Sequence, residues 1–382
     1  MVEYKDFIIG ALLHDIGKAI IENGHNLHVY DYEKHQDRVE RLKKILNLNE
    51  KDIIWHCIVY HHFPEKSAYK DYKDYLEIIK KADQETSELR LEEEAKRGEK
   101  KIKIIHPWSI ISGDIKYIWA YSLLDLKDDK ILLTKEDIPL DEYRKIWVDK
   151  YQPMFLEELK KALNSKNPDT ILAVLYKWLY FFPETSESSR LNLFSIAFHL
   201  KTTAMLADLY YKREKEGKKV YVIFIDFVGT HNTILSFLRK KKEFIEEEGG
   251  YLKKVNYLSR FIDAFVAYVT RKILSIANSY TTNILYISGS SAKVVVAIDS
   301  KQEKLIKEEI ERINKKLFSL TLGNGFILLH FEKVEDNLSE GLLESIVKAA
   351  FLNEEVEYKI EEEKIEWLKK LSKDYYEKDV YE

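Results

Sequence analysis

The residues with the clearest chemical potential are an adjacent pair, His14-Asp15, at the end of the apolar run Ala11-Leu12-Leu13. Gly17 and Lys18 follow within one helical turn. A neutral imidazole and a carboxylate can both bind a divalent cation, and together they suit Mn, Fe, Co, Ni or Zn better than Ca. Two ligands do not complete a site, so the remaining ligands must come from elsewhere in the chain.

Histidines are concentrated near this pair, since seven of the 11 in the chain lie between positions 14 and 62. Helices that each present one or two ligands can converge on a metal in a bundle. The candidates are His14, Asp15, His35, His56, His61, His62 and Asp83. For His56 the sequence leaves a ligand and a surface histidine equally open. His25 and His28 lie in a polar loop, where we expect ordinary surface histidines.

The N-terminal half reads as a series of amphipathic or apolar helices separated by turns. The predicted helices cover residues 6–22, 32–46, 51–62, 71–90, 108–125, 139–164, 168–182 and 189–211. A charged run over 89–104 is typical of a solvated linker or helix face. The last of these helices carries His199, which by itself would be a satisfied core histidine.

From Lys218 onward the pattern changes to apolar β-type runs alternating with helices. Strands are predicted over 220–227, 283–288, 292–298 and 325–331, and helices over 230–247, 253–279, 301–317 and 338–352. The order strand, helices, hairpin, helix, strand is that of a ferredoxin-like palm with its helices on one face of the sheet. We therefore expect an α+β protein with boundaries at 1–105, 106–216 and 217–382.

Composition excludes several classes of protein. A formal net charge of -4 argues against a uniformly basic nucleic-acid binder. The one compact basic run, Arg239-Lys240-Lys241-Lys242, could touch nucleic acid, although a solvated helix end is the better explanation. Cys57 is the only cysteine, so an internal disulfide and a Cys-based zinc site are excluded. Without a membrane span or signal peptide, we expect a cytoplasmic protein. Few Gly and Pro with many Lys and Glu indicate a thermophile.

Taken together, these motifs resemble the HD superfamily of metal-dependent phosphohydrolases and nucleases. They are most similar to one branch, the large subunit of type III CRISPR effector complexes. The segments that carry the resemblance are Leu12 to Lys18, His35 at the start of the second helix, Tyr60-His61-His62, and Ala82-Asp83 through Ser87 to Arg90.

The resemblance also implies a circular permutation. Ordinary HD domains place a His on a helix before the His-Asp pair, but no His precedes His14 here. In this branch that His comes after the equivalent of Asp83. The segment that resembles the relocated helix comprises Pro183-Glu184-Thr185, then Leu193 to His199 with Thr202, Thr203, Ala204 and Ala207. The implied metal ligands are His14, Asp15, His61, His62, Asp83 and His199, for one or two ions of Mn, Ni, Co or Fe.

The second half resembles the family's first palm domain. Asp226, near the end of the first palm strand, matches a carboxylate of the family's "D-x-x-G-I-Q" segment, although Thr230-His231 replace Ile-Gln. The hairpin Gly289-Ser290-Ser291-Ala292 carries no Asp or Glu. One carboxylate cannot hold two metal ions and a triphosphate. We therefore expect an inactive, degenerate cyclase-type palm, with Asp226 a structural remnant.

The resemblance implies a function in antiviral defence. The HD site would cut single-stranded DNA, with His14 and Asp15 at the metal and Lys18 neutralising charge on the phosphate. Implied partners are other effector subunits with guide RNA and target RNA. An active palm, a zinc-binding module and a helical end domain would lie outside this sequence, on a second chain or in a C-terminal half.

Two other functions stay open. The chain could be a non-catalytic scaffold that docks other subunits and guide RNA, with a silent HD site. It could also be an HD phosphohydrolase of a small cyclic nucleotide, fused to a degenerate cyclase palm. The permuted order of the histidines disfavours the second alternative.

Overall fold

A computed structural model describes residues 2–87, 91–92, 101–102, 117–119, 132–134, 138–182, 190–191, 195–239, 250–321, 324–335, 341–352, 359–360, 362–363 and 365–366. The chain divides into two compact units, Met1–Tyr211 and Lys212–Glu382. The finer boundaries expected at 105 and 216 stay predictions.

The first unit is mainly helical. Its helices are α1 (Tyr4–Leu13), α2 (Gln36–Leu46), α3 (Ile53–Tyr60), α4 (Lys73–Ser87), α5 (Leu140–Ile146), α6 (Gln152–Ser165), α7 (Pro168–Leu179) and α8 (Ile196–Glu216), the last running past the unit boundary. A π-helical turn, Trp147–Tyr151, joins α5 to α6. Short 3₁₀ turns cover Ile16–Lys18, Pro64–Lys66 and Lys70–Tyr72.

Helix α1 lies at the centre of this unit, because every residue from Phe7 to Leu13 is buried. A helix that is apolar on all sides must be covered on all sides. Gly10 lets α1 approach α3 closely, since a Cβ at Gly10 would lie 2.5 Å from the Sγ of Cys57. These two helices, which are followed directly by His14 and His61, are therefore held side by side.

The predicted helix over 6–22 is too long. Helix α1 ends at Leu13, and a hairpin follows, with β1 (Ile21–Glu22) paired to β2 (His25–Asn26). Asn23 and Gly24 both have positive φ, as a two-residue type I′ turn requires. A hairpin that reverses the chain therefore replaces the end of the predicted helix.

Short strand pairs were also missed. They are β3 (Leu91–Glu92) with β8 (Arg190–Leu191), β4 (Lys101–Ile102) with β7 (Ile138–Pro139), and β5 (Tyr117–Trp119) with β6 (Leu132–Thr134). The helix predicted over 108–125 is therefore wrong at 117–119. Its other residues lie outside the described part of the chain, as do Arg90, 183–185, Leu193, most of the charged run and residues 240–247.

The second unit contains a four-stranded antiparallel sheet. Its strands are β9 (Lys219–Val228), β10 (Ile284–Ser288), β11 (Ser291–Ile298) and β12 (Phe326–Lys333), in the order β10-β11-β9-β12. Helices α9 (Thr230–Arg239) and α10 (Gly250–Ile276) follow β9, α11 (Ser300–Thr321) follows β11, and α12 (Leu342–Val347) follows β12.

This strand order is that of the ferredoxin-like palm. Ile225 of β9 and Val294 of β11 share a buried cluster with Val266 of α10 and Ile310 of α11. Both long helices therefore pack on one face of the sheet, and the predicted α+β architecture of a helical HD domain followed by a palm is confirmed. No helix in the described ranges is long and apolar enough to cross a membrane.

Candidate metal centre

Two histidines are placed at helix C-termini in the same way. His14 follows α1, and its Nδ1 donates to the carbonyl of Ala11 at 2.8 Å. His61 follows α3, and its Nδ1 donates to the carbonyl of Cys57 at 2.8 Å. A hydrogen bond at Nδ1 orients the ring and leaves Nε2 as the atom for a ligand. Both Nε2 atoms point into the interior of the unit.

The first group of candidate ligands comprises His14, Asp15, Asp83 and His199, all buried. The Nε2 atoms of His14 and His199 lie 3.2 Å apart. Oδ1 of Asp83 lies 3.4 Å from Nε2 of His14 and 3.1 Å from Nε2 of His199. The histidine on α8 thus lies beside the His-Asp pair, as the permuted order predicts.

The second group comprises Asp15, His28, His61 and His62. Oδ1 of Asp15 lies 2.8 Å from Nε2 of His28 and 3.6 Å from Nε2 of His61. Oδ2 of Asp15 faces the first group instead, at 3.4 Å from Nε2 of His199. The two oxygens of Asp15 therefore face different groups.

Electrostatics favour the protonation states that bind metal. Burial alone would raise the pKa of Asp15, but Lys18, His28 and His14 hold it well below its ordinary value. Burial lowers the pKa of His62 to about 4. Burial, reinforced by His62 and His14, lowers the pKa of His61 well below its ordinary value. At neutral pH the carboxylate is ionised and these imidazoles are neutral, which is what metal binding requires.

Unused polar atoms support the same conclusion. The Nε2 atoms of His61 and His62 are buried, and they make no hydrogen bond within the described residues. Buried polar groups normally have partners, because an unsatisfied one is costly. In each group the donor atoms lie within 4.8 Å of one another. The residues present therefore fit divalent metal ions.

His28 was wrongly expected to be an ordinary surface histidine. The β1–β2 hairpin turns the chain back, so that residues 27 and 28 pack against Gly17, where a Cβ would lie 2.6 Å from the carbonyl of Leu27. This contact places His28 beside Asp15. The sequence carried a signal for the reversal, since Asn23-Gly24 is a strong two-residue hairpin turn.

Two histidines offered as further ligands belong to neither group. Both ring nitrogens of His56 are used, at 2.9 Å from Oγ of Ser67 and 2.9 Å from the carbonyl of Glu50. His35 precedes α2, and its Nδ1 accepts from the backbone N–H of Asp31 at 3.4 Å. Both are corrected to structural histidines.

The remaining predicted residues lie elsewhere or have other partners. The ammonium of Lys18 forms an ion pair with Oδ2 of Asp15. Asp226 lies in β9, opposite Ser291 of β11 and Leu328 of β12. Arg239 ends α9, and Lys240, Lys241 and Lys242 lie outside the described residues.

Comparison with known protein families first identifies the type of domain that carries the candidate ligands. The HD domain family matches residues 3–87, the segment that carries all of the candidate ligands except His199. The chain therefore contains an HD domain.

A curated relative matches most of the chain, beyond the HD domain itself. The CRISPR system single-strand-specific deoxyribonuclease Cas10/Csm1 (subtype III-A) of Methanocaldococcus jannaschii is 24% identical over 391 residues, covering 88% of this chain and 47% of the relative. The chain thus spans about half the length of the curated relative it matches.

Solved structures agree on the fold. Csm1 of T. onnurineus superposes with a TM-score of 0.66 at 17% identity, covering 97% of this chain and 50% of Csm1. The Csm1–Csm4 subcomplex of the type III-A CRISPR-Csm interference complex gives a TM-score of 0.65 at 17% identity, covering 95% and 48%. The chain is similar in sequence and fold to the N-terminal portion of the large subunit of type III CRISPR effector complexes, as its motifs predict.

Proposed function

We propose that this chain is a metal-dependent phosphodiester hydrolase that cuts single-stranded DNA, as part of a type III CRISPR effector complex. The observation that supports it most is the position of Asp15, whose two oxygens face two groups of buried His and Asp ligands. The sequence relative is described as a single-strand-specific deoxyribonuclease. We extend that activity to this chain through its HD domain.

The proposed ligands divide by group. His14, Asp83 and His199 would hold one metal ion, and His28, His61 and His62 the other, with Asp15 shared. Divalent ions held there would supply Lewis-acid activation of water and of a phosphoryl oxygen. Imidazole-rich sites favour Mn, Fe, Co or Ni over Mg.

Lys18 has two tasks in this proposal. Its ammonium pairs with Asp15 and helps keep that carboxylate ionised. Its side chain is 20% exposed, so part of it can be reached by a phosphate. A cation there would offset the charge that develops on the phosphoryl oxygens during hydrolysis.

The proposal extends to partners and to the palm. The similar structures include Csm1 bound to Csm4 and a Csm1–Csm4 cassette in complex with cA4. We propose that this chain likewise assembles with other effector subunits, guide RNA and target RNA. We also propose that its palm is inactive, because the hairpin Gly289 to Ala292 beside Asp226 has no carboxylate.

Metal analysis and a cleavage assay on the same preparation test the nuclease proposal. Purified protein should bind Mn, Ni or Co and degrade single-stranded DNA with those ions, and poorly with Mg alone. Asp15→Asn should remove the shared ligand and abolish cleavage while leaving the circular dichroism spectrum intact. Asp37→Asn, at an exposed position of α2, is the control. Undiminished cleavage by Asp15→Asn would point to another site or to a contaminant.

The same assays separate the alternatives. Hydrolysis of cyclic dinucleotides without DNA cleavage would favour a small-nucleotide phosphohydrolase. Absence of bound metal together with retained binding to other effector subunits would favour a scaffold with a silent HD site.

A further inference from the structure

An exposed aromatic ring lies beside the second group of candidate ligands. Tyr30 is 56% exposed, and its ring centroid lies 4.6 Å from that of His62. The ring of Phe63 approaches Tyr30 edge-on at 5.7 Å. His62 in turn contacts the rings of His28 and His61. A solvent-accessible aromatic surface therefore adjoins the candidate metal ligands directly.

The loop that carries Tyr30 is fixed on both sides. Leu27 and Val29 are buried, at 2% and 2% exposure, while Tyr30 faces outward. Next to Tyr30, Asp31 accepts from Nζ of Lys66 at 3.0 Å and from the backbone N–H of Glu33 at 3.1 Å. The exposed position of the ring is thus set by its neighbours.

Lys66 connects this loop to the turn that carries Phe63. Besides its bond to Asp31, its ammonium lies 4.9 Å from the centre of the Phe63 ring. One lysine therefore links the loop that carries Tyr30 to the turn that carries Phe63. A preorganised aromatic surface loses little conformational entropy when a ligand stacks on it.

We infer that Tyr30, supported by Phe63, is a stacking platform for an unpaired nucleobase next to the phosphodiester held at the metal centre. This inference rests on the proposed function and deepens it, because it names the part of the substrate that confers single-strand selectivity. Aromatic side chains bind single strands by stacking on exposed base faces. In a duplex those faces are covered by neighbouring bases, so the platform is selective for single strands.

Binding, measured apart from cleavage, tests the inference. Fluorescence anisotropy compares wild type, Tyr30→Ala and Tyr30→Trp on a single-stranded oligothymidylate and on a matched strand with abasic sites. Tyr30→Ala should weaken oligothymidylate binding about 5-fold or more, the lower end for one stacked base. It should have no effect on the abasic strand, and Tyr30→Trp should retain binding.

Tyr180→Ala is the matched control, since Tyr180 is 44% exposed and its ring contacts Tyr176 and Phe181 instead. Equal losses on both strands, or a loss of bound metal in Tyr30→Ala, would overturn stacking in favour of a structural role. Absence of DNA binding by the wild type would overturn it as well.

The outcomes also separate the inference from the nuclease proposal. A wild type that binds DNA through Tyr30 but never cleaves it would refute the nuclease and leave the platform standing. If the wild type cleaves DNA and the Tyr30→Ala variant binds DNA as tightly as the wild type, the stacking platform is refuted and the nuclease proposal stands.

Discussion

At the scale of single residues, Asp15 and His28 determine how the candidate metal centre is arranged. Asp15 is the one residue common to both ligand groups, and His28 reaches it across the hairpin at 2.8 Å. Burial alone would raise the pKa of Asp15, but the neighbouring Lys18, His28 and His14 keep it ionised. The two residues together form half of the second group.

His28→Gln should remove one ligand of the second group and leave the first intact. We expect the protein to lose metal from one position and to lose at least 10-fold in cleavage rate, as a lower bound set by perturbed metal sites. Metal stoichiometry by mass spectrometry and initial rates on single-stranded DNA measure this. His25→Gln changes an exposed histidine of the same hairpin, and it should match wild type. Full stoichiometry in His28→Gln would remove His28 from the proposed ligand set.

At the scale of elements, the approach of α1 to α3 positions His14 and His61. The contact depends on Gly10, whose missing Cβ leaves room for Cys57. Both His14 and His61 also use Nδ1 to bond carbonyls of their own helices. A change in the spacing of the helices would therefore move both ligands.

Gly10→Ala should destabilise the protein by about 1 to 3 kcal/mol, because the added methyl overpacks a buried contact. Cys57→Ala in the same chain should recover part of that loss, since it removes the Sγ that a Cβ at Gly10 would meet at 2.5 Å. Urea denaturation of wild type, both single variants and the double variant measures the coupling. Simple additivity would show that the contact between α1 and α3 is not the cause.

Helix α3 also carries His56, whose titration should make the free energy of unfolding depend on pH. Burial lowers the pKa of His56. The unfolded chain therefore takes up the proton first, and the free energy of unfolding falls as the pH drops below about 6.5. Burial lowers the pKa values of His35, His61 and His62 too, so they act in the same direction.

We expect the melting temperature of metal-free protein to fall between about pH 7.5 and 5.5. His56→Gln should flatten this profile in part, and His25→Gln, in which an exposed ring is replaced, should not. Thermal melts in a chelator across that range measure both. An identical slope in His56→Gln and wild type would show that the titration of His56 does not affect folding.

At the scale of the whole molecule, the two units differ in chemistry. The HD unit gathers His and Asp side chains around a shared carboxylate. In the palm unit, Asp226 lies next to a hairpin of Gly, Ser and Ala. Two-metal phosphoryl transfer needs carboxylates for both ions.

Given ATP and Mg, this chain alone should form no cyclic oligoadenylate or dinucleotide. Chromatography of the reaction products measures this, and a relative with an acidic palm hairpin is the positive control. Formation of a cyclic product that disappears in Asp226→Ala would show that the palm is a synthase.

The sequence by itself determined most of the helices, the strands of the palm and most of the candidate ligands. The reason is that apolar periodicity and strand propensity are local, and His14-Asp15, His61-His62 and Asp83 lie on or beside elements that such patterns predict. The contribution of His199 came from the resemblance, because a lone histidine on an apolar helix carries no local signal of metal binding.

Only the tertiary structure decided which histidines face Asp15. His14 and His199 are 185 residues apart, and no local pattern encodes a contact over that separation. His28 joined the centre because the chain reverses at Asn23-Gly24 and packs on Gly17. His56 was excluded because packing gave both of its nitrogens structural partners. A ligand set depends on side-chain directions within a packed core, and those directions are fixed only when the helices and the hairpin pack together.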